Sequence, residues 1–130
     1  MSIFEDTDII SGYSRAQAIK DGTLVDLTGI SRLFRYPVAV TSAVWAGCIE
    51  WPEDIDHPAW QNQEGRLSDV LWMTFCAIRR NSHTDRVTVE LLVVPRDRKV
   101  TEPELITLEA VCGPGDDAEP VITIQFPGED

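Results

Sequence analysis

Between residues 64 and 80, apolar side chains recur at helical spacing, and this stretch limits what the chain can fold into more than any other. Leu67, Val70, Leu71, Phe75 and Ile78 follow the i, i+3, i+4 pattern of one helix face. Arg79 and Arg80 stand where a helix C-terminus favours positive charge. Trp72, Met73 and Cys76 carry the apolar surface onto a flanking face. A helix apolar over most of its circumference must be covered on more than one side. Either the preceding helix, with Trp45 and Trp51, supplies the second cover, or a second copy of the chain does so in a homodimer.

Past residue 83 the period changes from helical to alternating. Residues 87–94 are rich in β-branched side chains, residues 95–99 read as a turn, and residues 105–112 read as a second strand. Gly113-Pro114-Gly115-Asp116-Asp117 marks another turn before a third strand over 121–126. Connections this short favour an antiparallel meander with one apolar face. Ahead of the long helix the signals are weaker. Ser14 caps a short helix that Gly22 closes, and residues 24–27 form a short strand or extended segment. Thr28 is positioned to cap a second short helix to about residue 34, and Pro37 blocks its continuation. Thr41 caps a helix over 42–51 that Pro52 stops, and residues 53–63 are a polar loop. The expected fold is one α+β domain over 1–130. In it, N-terminal helices precede a C-terminal three-stranded antiparallel sheet packed on the central helix. A chain of 130 residues buries about two-thirds of its unfolded surface, so this core needs neither metal nor disulfide.

Charge narrows the function. The chain has 22 acidic and 11 basic side chains, a net charge of −11. Direct binding to DNA, RNA or an anionic membrane is therefore not expected. The charge is also segregated: residues 36–65 carry five carboxylates and residues 101–130 carry eight, with no base in either. Glu50, Glu53, Asp54 and Asp56, with Asp116, Asp117 and Glu119, are the expected contact residues for a basic partner. The plainer reading is that acidity only keeps a small protein soluble.

Catalytic and metal chemistry find little support. Cys48, Cys76 and Cys112, with His57 and His83, contain no close pair of zinc-ligand spacing, so no metal and no cofactor is expected. Cys48 and Cys76 fall on helix faces read as apolar, where a thiol is inert. Asp54-x-Asp56 lacks the glycine and terminal glutamate of a calcium loop. Gly113-Pro114-Gly115 lacks the lysine and helix of a phosphate loop. An enzyme would have to use Asp54, Asp56, His57 or Cys112. An odd cysteine count, no basic leader and no apolar run long enough to span a bilayer indicate the cytoplasm.

Some phrases carry a resemblance. They are residues 4–26, Arg35-Tyr36-Pro37-Val38-Ala39-Val40-Thr41, Ala43-Val44-Trp45, Gly65-Arg66-Leu67-Ser68-Asp69-Val70-Leu71-Trp72-Met73 and Gly113-Pro114-Gly115-Asp116. Together these resemble a small family of uncharacterised proteins encoded on bacterial plasmids, phages and integrative elements, over nearly the whole chain. The family has no catalytic residues to carry over. Its genomic context implies an accessory role, and several anti-CRISPR and anti-restriction proteins are likewise small, acidic and non-enzymatic. The expectation is a cytoplasmic, non-enzymatic binder of a basic, nucleic-acid-binding host-defence protein or complex, which competes with nucleic acid. The alternatives are a small enzyme acting on a nucleotide or protein, and an interaction protein for plasmid or conjugative maintenance.

Overall fold

The computed structural model describes residues 13–81 and 83–129. The family-like phrase over 4–12 lies outside them. Helix α1 (Arg15–Asp21) starts at a capping box in which Ser14 accepts the Gln17 N–H and the Gln17 side chain reaches back to Ser14. Gly22 closes it at φ 84°, a left-handed position that suits glycine. Strands β1 (Leu24–Asp26) and β2 (Val38–Thr41) follow, and then a helical turn α2 (Ser42–Val44) that widens into a π-helical turn over Trp45–Ile49. Helix α3 (Gln63–Arg80) precedes β3 (Arg86–Val93), β4 (Glu104–Pro114) and β5 (Pro120–Gln125).

The sheet corrects the expected architecture. It has five strands in the order β1-β2-β5-β4-β3 and is mixed: β2 runs parallel to β5, and every other neighbouring pair is antiparallel. The C-terminal meander exists, but it is not the whole sheet, and its last strand is central rather than an edge. Helix α3 sits between strands in the chain, not after a purely helical N-terminal half. All four residues of β2 are buried, because the strand is covered on both faces. So short a strand, buried on both sides, offers no alternation to read.

Two local expectations fail for identifiable reasons. Thr28 does not cap a helix over 28–34. Its hydroxyl accepts the Val38 N–H at 3.2 Å, tying the loop to β2, and Gly29 turns the chain at φ 83°. The helix expected over 42–51 begins at its Thr41 cap, which accepts from Val44 N–H, but changes register after one turn. Glu50 N–H then donates to the Trp45 carbonyl at 2.8 Å, a five-residue loop.

One face of the sheet packs on α3 through Val87, Val89, Leu91, Leu108, Ile122 and Ile124, with Val38 and Val40 continuing it. The helix meets this face with Arg66, Val70, Leu71, Thr74 and Ala77 buried, while Leu67, Phe75 and Ile78 are half-buried. The inward stripe is thus rotated from the apolar one read in the sequence. Thr74 is fully buried and its hydroxyl has no hydrogen-bond partner. Thr74→Val keeps the shape and removes that unmade bond, so it is expected to stabilise the protein by about 1 kcal/mol. A raised urea midpoint at unchanged slope is the readout, and a lowered midpoint would contradict this account of Thr74.

Candidate partner-binding surface

The acidic residues divide into two groups at opposite ends of the sheet. Register places Val93 of β3 opposite Glu104 at one end of β4, and Pro120 opposite Pro114 at the other. Ten residue steps at ~3.3 Å per step separate those ends by about 33 Å. Glu50, Glu53, Asp54 and Asp56 belong to the first end. Asp116, Asp117 and Glu119 form the β4–β5 turn at the second. The seven carboxylates therefore do not make one continuous surface.

Most of them already have partners. At the first end, Glu50 pairs with Arg96 at 2.7 Å and Asp56 with Arg98 at 3.1 Å, so the loop after the π-helical turn is tied to the β3–β4 loop. At the second, the Asp116 carboxylate accepts the Arg15 and Ala16 backbone N–H groups at 2.8 and 3.0 Å. This satisfies donors at the start of α1 from across the fold. Glu119 accepts the Asp117 N–H at 3.3 Å. Arg15 completes the junction: its guanidinium donates to Thr123 Oγ1 at 2.7 Å and to the Ile122 carbonyl at 2.8 Å. Among the described residues, Glu53 and Asp54 are exposed carboxylates with no ion pair or hydrogen bond.

The loop that carries them is built on aromatic and cationic contacts. His57 accepts the Ala59 N–H at Nδ1 and contacts the Asp97 carbonyl through Nε2, both at 3.0 Å. Both ring nitrogens are engaged, so the imidazole is held at both edges. The His57 ring packs on buried Trp51 at 4.9 Å between centroids, and the Arg66 guanidinium lies 4.9 Å from the Trp51 ring centre. Arg66 is 4% exposed and donates to the carbonyls of Ile49, Val94 and Gly47. Between this base and the start of α3 opens a cleft of about 620 Å³ lined by Glu53, His57, Trp60 and Glu64, among others. Trp60 stands at it with 89% of its surface in water. Nothing in the sequence points to it, because a lone tryptophan in a polar loop has no periodic context.

The alternative catalytic residues are not brought together. Asp56 is ion-paired and both His57 nitrogens are engaged. Cys112 pairs with Ile122 near the other end of β4. Burial pushes the Cys48 thiol up to about 11 against the opposing pull of Arg66, which keeps it protonated at neutral pH. All three cysteines are free thiols, and among the described residues no cluster of three His, Cys, Asp or Glu side chains is placed to hold a metal ion. The self-association residues are only partly exposed: Trp72 is 52% exposed and stacks on Phe75 at 5.7 Å, while Met73 and Cys76 are half-buried. Trp51 is engaged with Arg66 and His57, and Trp45 packs against the core.

Among the described residues, helices on an open five-stranded mixed sheet, with an exposed aromatic cleft, define the class of this small acidic protein. The chain belongs to a family of unknown function, DUF6573, whose model matches residues 1–130. No curated protein and no solved structure matches it. No helix among the described residues is long and apolar enough to cross a membrane.

Proposed function

We propose that this protein is a non-enzymatic binding module whose acidic Trp60 cleft seats a basic protein partner. The exposure of Trp60 carries the reading. A tryptophan left in water beside unpaired carboxylates is the composition of an interface centre, where aromatic anchors supply most of the energy. Glu53 and Asp54 then add electrostatic steering, and the rigid support of Trp51, His57 and Arg66 reduces the ordering cost of binding. On the mobile-element context that the sequence resemblance implies, the partner is a basic nucleic-acid-binding component of a host-defence complex of the CRISPR or restriction kind. Occupying its basic groove excludes nucleic acid from it. Asp117 at the far turn is a second contact only for a partner long enough to span the sheet.

The experiment is an affinity pull-down from host lysate with mass spectrometry, run in parallel with Trp60→Ala and with Glu53→Lys/Asp54→Lys. A basic nucleic-acid-binding protein retained by the native chain and lost with both variants is the expected result. Retention of the same protein by both variants would remove the cleft from the interface.

A further inference from the structure

A second surface, between the β1–β2 loop and the first half of α3, has the opposite chemistry. The β1–β2 loop and α3 enclose two adjoining clefts of about 490 and 570 Å³ that share Ser31 and Leu71. Arg32, Arg35 and Tyr36 line the first, and Ile30 and Trp72 line the second, which has Glu64 among its walls. Ile30 and Trp72 are more than half exposed, at 57% and 52%. Their neighbourhood is aromatic and ordered: Trp72 stacks on Phe75, Phe34 meets Phe75 edge-on at 6.0 Å, and the Arg79 guanidinium lies 5.7 Å from the same ring.

Charge says what such a surface accepts. In a chain with twice as many acids as bases, Arg32, Arg35 and Arg79 have no carboxylate partner among the described residues. Unpaired guanidinium groups beside exposed apolar and aromatic side chains present bidentate carboxylate sites around apolar clefts. A second copy of the chain is a poor occupant, since a two-fold docking on this patch brings like-charged arginines together. A nucleic acid is a poorer one, because three arginines do not offset the repulsion of a polyanion by a net charge of −11.

We infer that this surface docks an acidic amphipathic peptide segment of another protein. Leucine or phenylalanine side chains enter the two clefts, and carboxylates engage Arg32, Arg35 and Arg79. The chain then carries two neighbouring clefts that share Glu64 as a wall, a basic-seeking one at Trp60 and an acid-seeking one at Trp72.

Panning a random peptide display library on the protein tests this. Two variants of exposed residues, Arg32→Glu/Arg35→Glu and Trp72→Ala, serve as controls, with their folding checked by circular dichroism. Enriched peptides are expected to combine Asp or Glu with Leu or Phe, and their synthetic versions to lose at least about tenfold in affinity for both variants. Absence of enrichment, peptides with no excess of carboxylates, or equal affinity for the variants would overturn the proposal. So would tight binding of a labelled oligothymidylate that both variants abolish, or a concentration-dependent dimer that both dissolve, by giving the surface a different occupant.

Discussion

Arg66→Ala is expected to remove about 3–5 kcal/mol of stability, because three carbonyl groups lose their donor at once inside the fold. Arg66 reaches from the first turns of α3 to Ile49 at 3.1 Å, Val94 at 2.7 Å and, more weakly, Gly47 at 3.5 Å. It thereby joins the helix, the π-helical turn and the chain just past β3. Among the described residues, no carboxylate pairs with it. Burial draws its pKa below the usual arginine value, yet a guanidinium keeps its proton. Lysine is no substitute, since one ammonium on a flexible stem does not reproduce a planar fork. Urea unfolding of Arg66→Ala and Arg66→Lys measures the effect. A loss under about 1 kcal/mol for alanine would show that the three carbonyls find other partners.

Ile124→Ala is expected to cost about 2–5 kcal/mol, and the cost tests the sheet order. Ile124 is fully buried in β5, opposite Ala110 of β4 on one side and Val40 of β2 on the other. A three-stranded meander ending in an edge strand would close around part of the lost volume. A central strand held from both sides leaves the cavity open. Leu105→Ala is the control: Leu105 is 62% exposed on β4 and should change stability by less than about 0.5 kcal/mol. Similar losses for the two substitutions would contradict the central placement of β5.

Local periodicity made the long helix and the last three strands legible. It could not reveal β2, whose parallel partner β5 lies some eighty residues away, so that nothing near Val38 signals the pairing. The inward stripe of α3 is not legible in the sequence because it carries Arg66 and Thr74, two polar residues that only the surrounding carbonyls and close packing accommodate. Thr28 looked like a helix cap because its hydroxyl suits that role, but the Val38 N–H competes for it and wins. At the site, residue types were readable and their engagements were not. Of the four carboxylates read from sequence at this end, Glu50 and Asp56 are paired with Arg96 and Arg98 from some forty residues further on, which leaves Glu53 and Asp54 open.

The central claim is that the Trp60 cleft binds its partner with its open carboxylates. It is tested most directly by measuring the affinity of the pulled-down partner against ionic strength, for the native chain and for Glu53→Lys/Asp54→Lys. Screening reaches only ~8 Å at physiological salt, so the native affinity is expected to fall as salt rises, with a shallower slope and weaker binding in the variant. An affinity that is flat from low to high salt, and equal in the two proteins, would contradict it.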